Sequence, residues 1–521
     1  MTSQRRTILA VAGTVAVAVA LRWWGAGFGL PFTYHPDEHQ YVDAAIAVVG
    51  GEWNPGRFNN PTLFKYALAV VYAVWYAIGR AAGHWPDVAA WQAAFAADPT
   101  TAHLLARGTV GVLGAATCAV VWAIGRRWRG EAVGWIAAVL LAVAFGHARD
   151  SHYAVNDIPA ALLTTLAVAI ALRLRAAPTD RARARDLVLG GAVVGLAAAT
   201  KYTALVAVVP LAIAWLAAGG DRDDVVLSTG DGLTNRRAHV ARRIARRLVA
   251  PPVFAAAAAL VAAFLIAVPY AVLDWPAFRA DVVLLAMRGR EGFKGLEIDP
   301  APGWIFYLKS LAWGLGWPLL AAAIAGVVLA LRRRRADDLV VVALPLLLWG
   351  YLGSQLNMFA RFMLPAVPLL CVMAADVVVA AGGLVARRAR GTRHARRTRL
   401  SAGVATALLA AAVVLPSLAS TVRHNVLLGR TDTRTLAREW IVANVPAGAA
   451  IVLQAGGPEL DGLPYDVTEV GTLELPEKPL EEWIAEAAEG RGDGAVWLVT
   501  SSFSTERRLL DKGRDAEVRG W

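Results

Sequence analysis

Residues 7–29 read TILAVAGTVAVAVALRWWGAGFG and lead into Tyr34-His35-Pro36-Asp37-Glu38-His39-Gln40-Tyr41. The first stretch has the length and apolarity of a membrane span, which needs roughly 17–25 such residues. It lacks the small-residue cleavage site of a signal peptide, so it reads as an anchor. Gln4-Arg5-Arg6 precede it, and basic residues flanking a first span stay in the cytoplasm. The acidic, histidine-flanked stretch at 34–41 is thereby expected outside. The rest of the chain either repeats this alternation of apolar run and polar turn or breaks it.

It repeats it. Of 521 residues 57% are hydrophobic and 18% charged, with a mean hydropathy of +0.48, against about 25% charged in a typical soluble domain. A soluble enzyme, a disordered scaffold and a coiled coil are excluded on that ground. Apolar runs occupy 7–29, 106–125, 132–148, 157–173, 187–200, 203–218, 251–272, 308–331, 338–353, 363–385 and 400–420. The net charge of +12 does not point to nucleic acid, because the arginines stand in blocks between the runs: 126–129, 173–185, 236–247, 332–335 and 387–399. Blocks so placed are topology determinants and are expected in the cytoplasm. From 423 onward there are 11 basic and 17 acidic residues, net −6, which leaves +18 for the rest. Cys118 and Cys371 both sit in apolar runs, which provides neither a disulfide framework nor a zinc site.

Parity fixes the remaining elements. Between the outer end of the first span and Arg126 the chain crosses an odd number of times, and 106–125 supplies that crossing. Residues 61–79 (PTLFKYALAVVYAVWYAIG) therefore read as a juxtamembrane helix in the outer interface, within an outer loop spanning 30–105. The short runs 187–200 and 203–218 go out and return, which places Lys201 at the outer face. The sum is an α-helical polytopic membrane protein of about eleven transmembrane helices, N-terminus cytoplasmic and C-terminus extracytoplasmic. Residues 1–425 form the membrane domain, and 426–521 form a small extracytoplasmic α/β domain with helices at 433–444 and 480–489 and strands at 450–454 and 495–500.

On this topology the isolated ionisable residues gather at one face. His35, Asp37, Glu38 and His39 lie in the first outer loop; Arg149, Asp150, His152 and Asp157 in the second. Lys201 and Tyr202 form the third, Arg288 and Arg290 belong to a fourth (273–307), and Arg361 lies in the fifth. Charged groups at membrane depth are costly and tend to face a polar cavity. Carboxylates beside cations suit activation of a hydroxyl next to an anionic leaving group. No phosphate-cradling glycine loop follows a strand, which turns the reading away from ATP or a nucleotide sugar and toward a lipid-borne phosphate.

The order His35-Pro36-Asp37-Glu38-His39-Gln40-Tyr41, Asn60-Pro61-Thr62-Leu63-Phe64-Lys65-Tyr66, Arg149 to Pro159, Thr200-Lys201-Tyr202-Thr203 and Arg361-Phe362-Met363-Leu364-Pro365 resembles the GT-C glycosyltransferases. Within them it is most similar to glycosyltransferase family 39, the protein O-mannosyltransferase and aminoarabinose transferase group, over roughly residues 1–425. The resemblance implies an inverting transfer of a sugar from a polyprenyl-phosphate donor to an extracytoplasmic acceptor (protein, lipid or cell-wall glycan), with Asp37 as the base. That family often shows two prolines where this chain has Asn60-Pro61-Thr62, and 273–307 matches its pattern weakly.

Each residue carries a plainer alternative. Asp37 and Glu38, the catalytic candidates, also suit the first turn of a helix, where the dipole favours acids by roughly 0.3–1 kcal/mol. His35 and His39 suit acceptor hydrogen bonding, and at i and i+4 they leave room for a divalent metal; no other cofactor is implied. Asp157 sits where a helix cap would, Asp150 in the preceding loop, and His152 divides between substrate contact and packing. Lys65, Lys201, Tyr202, Arg149, Arg288, Arg290 and Arg361 are candidate substrate contacts, and snorkelling to headgroups is the alternative for the cations. The rival of another class is a lipid or lipid-linked sugar flippase. Such a transporter commonly shows inverted repeats and mid-bilayer charges, and the sequence presents neither.

Overall fold

The computed structural model describes residues 3–218, 242–291, 302–390, 401–470, 480–489 and 495–501. The expected spans at 7–29, 106–125 and 132–148 appear as α1 (Ser3–Trp23), α5 (Thr100–Arg129) and α6 (Glu131–Val143). Between them lie α2 (His39–Val49), α3 (Leu63–Ala81) and α4 (Val88–Ala97); a single turn, α7 (Phe145–Asp150), follows α6. Then come α8 (Asp157–Ala176), α9 (Asp180–Thr200), a 3-10 turn over Tyr202–Ala207 and α10 (Val208–Ala217). The arginine stretch at 236–247 is described from 242 on, as α11 (Arg242–Leu248), which meets α12 (Pro251–Ala267) at a 44° bend. After α13 (Tyr270–Leu273) and α14 (Trp275–Glu291) follow α15 (Gly303–Leu315), α16 (Trp317–Arg333), α17 (Ala336–Gly353), a second 3-10 turn at Ala360–Ala366, α18 (Val367–Arg390) and α19 (Ala402–Leu428).

Among the described residues five helical stretches are individually long and apolar enough to cross a bilayer, six if the bent pair is one span. Several of the others are shortened by a break. The run at 308–331, expected as one span, is two helices. Gly316 at φ +80 separates α15 from α16, and Trp317-Pro318 restarts the helix. Proline is tolerated at such a start and cannot continue a helix across it. Likewise α6 stops at Ala144, whose extended backbone (ψ 113) hands the chain to α7. These breaks place short polar turns among the helix ends, where irregular backbone is tolerated because protein covers it.

The core is built of alanine, valine and leucine from α5, α6, α8, α17 and α18, and small residues let the helices approach. Gly191 and Gly195 put α9 against α12: a Cβ on Gly191 would lie 2.3 Å from the Ala256 carbonyl oxygen, and one on Gly195 2.2 Å from that of Leu260. Backbone cannot step aside as a flexible side chain can, so this is a small-xxx-small contact. Gly195→Val is expected to cost about 1–3 kcal/mol through overpacking. An unchanged thermal midpoint of the purified variant in detergent would refute this account of the crossing.

The arginine blocks have structural partners as well as a topological role. Arg173 grips Asp186 at 2.9 and 3.0 Å, Arg175 reaches Asp337 at 3.0 Å and Arg333 reaches Asp376 at 2.6 Å. Asp338 accepts from Trp128 at 2.8 Å and from Arg129. These pairs lace the helix ends opposite the turns of Asp37 and Lys201.

Beyond α19 the chain forms α20 (Thr433–Asn444), β1 (Ala450–Gln454), β2 (Asp466–Val470), α21 (Leu480–Ala488) and β3 (Val496–Val499). The two helices, β1 and β3 fall where the sequence places them; β2, with its charged Asp-Val-Thr-Glu-Val, is an addition. The sheet is parallel with order β2-β1-β3, and the central β1 is buried throughout. α20 rests on the stretch before α2: the Arg434 guanidinium lies 3.8 Å from the Tyr34 ring centre, and Arg438 lies 4.9 Å from that of Phe32.

Candidate active site

Four separate turns bring their charged residues to one place. Asp37 comes from the stretch before α2, Asp157 opens α8, Lys201 follows α9, and Arg361 belongs to the 3-10 turn before α18. Arg361 Nη1 donates to Asp37 Oδ2 at 2.6 Å, and its Nε stands 3.9 Å from Asp157 Oδ2. Lys201 Nζ donates to the other Asp157 oxygen. One guanidinium thus links two carboxylates, and the second carboxylate holds an ammonium. The Lys201 ammonium also lies 4.4 Å from the Phe362 ring centre. Burial lowers its proton affinity, with Asp157 opposing.

Asp157 combines the position of a helix start with charged partners. As the first residue of α8 it is placed for capping, yet its carboxylate is committed to Lys201 and Arg361. Asp37 likewise precedes the helix it was expected to favour; its Oδ1 accepts from Gln40 at 3.3 Å. With 28% of its side chain exposed and Arg361 26% exposed, the pair is reachable from outside the fold.

Glu38 departs from expectation. It is fully buried and takes both donors of Arg107, at 2.8 and 2.7 Å, and the Ala154 amide at 2.8 Å. Burial alone would raise its pKa; the hydrogen bonds and charge of Arg107 outweigh that and hold it below its ordinary value. With both oxygens occupied it ties loops together and is not placed to accept a substrate proton. Arg107 also donates to the carbonyls of Ala26 and Phe28, at 2.7 and 3.0 Å, so this pair fixes the loop that carries Asp37. Sequence reasoning passed over Arg107, although a lone cation inside an apolar run is itself a signal.

The remaining candidates divide. Arg149 pairs with Asp150 at 3.3 Å beside the Tyr153 and Trp313 rings, and burial raises the Asp150 pKa against the pull of Arg149. Asp150 lines a small open cleft with Gly146, Trp313, Ala360, Met363 and Leu364. His35 stacks on Tyr153 with ring centres 4.6 Å apart, and burial keeps it below its ordinary pKa, hence neutral at pH 7. His39 points to the exposed side of α2. No group of three metal-ligating side chains forms among the described residues. His152 has Nδ1 2.9 Å from the Ala148 carbonyl and Nε2 3.2 Å from that of Trp24, and one of the two nitrogens donates, a packing role. Tyr202 donates to the Phe58 carbonyl at 2.8 Å. Lys65 is buried against the Arg57 carbonyl at 3.4 Å, and burial brings its pKa to about 8. Arg288 and Arg290 stand at the end of α14, where Gly289 accepts from the Leu356 amide at 2.9 Å.

Residues 91–273 match the family described as dolichyl-phosphate-mannose-protein mannosyltransferase. The fold is shared with ArnT from Cupriavidus metallidurans bound to undecaprenyl phosphate: TM-score 0.56, 15% identity, 93% of this chain and 91% of that one. The apo state of the same protein gives a TM-score of 0.54 at 16% identity, covering 97% and 91%. The apo oligosaccharyltransferase from Archaeoglobus fulgidus gives 0.51 at 15%, covering 84% of this chain and 58% of its own. No curated protein sequence matches the chain. The fold is that of the GT-C superfamily of membrane glycosyltransferases.

Proposed function

We propose that the chain is an inverting glycosyltransferase that moves a sugar from a polyprenyl-phosphate donor to an extracytoplasmic acceptor. Its membrane part (1–425) would cross about eleven times with the N-terminus inside, and 426–521 would lie outside. The observation that carries the activity is the linked group Asp37–Arg361–Asp157–Lys201, assembled from four turns of a fold shared with a protein solved with undecaprenyl phosphate.

Asp37 Oδ atoms accept the proton of the acceptor hydroxyl as its oxygen attacks the anomeric carbon. The bond from that carbon to the phosphate oxygen breaks, and the pair of electrons leaves with the lipid phosphate. Arg361 holds Asp37 aimed before the reaction. Lys201 and Arg361 stabilise the phosphate charge as it develops, where preorganised cations act most strongly. Asp157 holds both cations in place so that little reorganisation is needed.

The test uses purified protein, radiolabelled polyprenyl-phosphate monosaccharides and a membrane or cell-wall extract as acceptor. Label moves to an acceptor if the reading is right. Lipid passing between leaflets without transfer would establish a flippase instead. Lys201→Ala is expected to weaken binding of polyprenyl phosphate by roughly 10- to 100-fold, the worth of a hydrogen bond to a charged group. Equal binding by wild type and variant would remove Lys201 from the phosphate site.

A further inference from the structure

A buried cation grips the turn that leads to the loop of Asp37. Arg22, in the last turn of α1, is fully buried, and no carboxylate pairs with it among the described residues. All five of its N–H donors are spent on uncharged acceptors. Nη1 donates to the carbonyls of Ala18 and Ala142, at 3.0 and 2.9 Å. Nη2 donates to the Leu141 carbonyl at 3.3 Å and to His147 Nδ1 at 3.1 Å, and Nε donates to Ser151 Oγ at 3.2 Å. α5 leaves the room for this: a Cβ on Gly114 would lie 3.0 Å from Arg22 Nε and 2.4 Å from Ser151 Oγ. A buried charge without a counter-charge is costly. Apart from Ala18, every acceptor it has found belongs to the break between α6 and α7.

Leu141 and Ala142 stand in the last turn of α6, where helix carbonyls lose their helical partners and favour a cation. α19 caps the same break: Ser417 Oγ accepts the Phe145 amide at 2.8 Å, and Thr421 donates to the Val143 carbonyl at 3.1 Å. His147 and Ser151 lie four residues apart, and the Ser151 hydroxyl donates to the His147 carbonyl at 2.6 Å. Arg22 therefore holds α7 near both its ends. Two residues on, the Tyr153 ring stacks on His35, whose Nδ1 accepts the Asp37 backbone N–H at 3.2 Å. The next amide, that of Ala154, is the one Glu38 accepts. The loop of Asp37 thus rests on the turn that Arg22 fixes.

Resting on the glycosyltransferase reading above, we propose that Arg22 is a positioning residue for the base Asp37. By clamping the α6–α7 break it fixes the turn over 151–154. Through the Tyr153–His35 stack and the Ala154–Glu38 bond, that turn sets where the Asp37 carboxylate stands. Asp157 and Lys201 belong to α8 and to the end of α9, and Arg22 bonds neither helix. Its effect therefore falls on proton removal from the acceptor and not on the grip on the lipid phosphate.

The experiment measures kcat for sugar transfer and Kd for undecaprenyl phosphate on the full chain. Arg22→Gln, which cannot span the same acceptors, lowers kcat about 10- to 100-fold, the order expected when a reacting group is misplaced by about 1 Å. It leaves Kd within about threefold. Arg22→Lys, which keeps the charge and three donors, recovers part of the loss. Ser151→Ala is the smaller change that decides the matter if Arg22→Gln does not fold; it lowers kcat about three- to tenfold. Tyr153→Ala gives the same signature. Combined with Ser151→Ala it loses less than the product of the two factors, as residues on one path do. Wild-type kcat in Ser151→Ala, or losses that multiply fully with Tyr153→Ala, overturn the proposal. Affinity for undecaprenyl phosphate weakened as much as kcat also overturns it, because Arg22 is then a general support of the fold, and the transferase reading stands. A wild type that transfers no sugar from any polyprenyl-phosphate donor overturns both.

Discussion

Asp37→Asn should lower sugar transfer by about 10²–10⁴-fold, the contribution of a positioned general base, with folding intact. The substitution keeps the shape of the side chain and its contact with Gln40 and removes the acceptor of the proton. Arg361 loses a charge partner but retains Asp157 nearby at 3.9 Å, so the cation is not stranded. Binding of polyprenyl phosphate is expected to persist, because Lys201 and Asp157 are untouched. The comparison to make is initial rate against thermal midpoint for wild type and variant in the same detergent. A rate near wild type would reject Asp37 as the base. A rate loss matched by unfolding would show that its role is structural.

The second large effect is on stability. Removing one partner of a buried ion pair leaves the other charge uncompensated and costs about 3–5 kcal/mol. Glu38 and Arg107 are both fully buried and doubly bonded, so Glu38→Gln and Arg107→Gln are each expected to lower the thermal midpoint sharply. The double variant should lose less than the sum, because no charge is then left alone; strict additivity would refute the pairing. The same pair sets an acid limit. The folded-state pKa of Glu38 lies below its ordinary 4.5, so its stabilising contribution is complete above that value and is lost as pH falls through the lower, folded-state pKa. Glu38→Gln should flatten the acid side of the stability profile. The contrast separates two neighbouring acids: Asp37 is measured by rate and Glu38 by stability.

Adjacent in sequence, these two residues show where reading the sequence stopped. Asp37 and Glu38 were both catalytic candidates; the resemblance named Asp37 as the base, while nothing local to the residues distinguishes them. What separates them is Arg107, 69 positions on from Glu38, and Arg361, 324 positions on from Asp37. Asp157 was equally a cap or a ligand until Lys201 was seen to hold it.

The sequence by itself determined that this is a multi-span helical membrane protein with its isolated ionisable residues in corresponding turns. Burial in lipid forces backbone hydrogen bonds inside each segment, so apolar length alone defines the helices. It determined the tail helices and two of its three strands by periodicity, and it determined the family resemblance through the order of short motifs. Tertiary structure decided the break at Gly316, where a positive φ ends one helix and begins another inside a continuous apolar run. It also decided which of the candidate charges meet. Partner choice depends on distances between residues far apart in the chain, and hydropathy is indifferent to it: Lys201 and Lys65 read alike, yet one faces Asp157 and the other a backbone carbonyl.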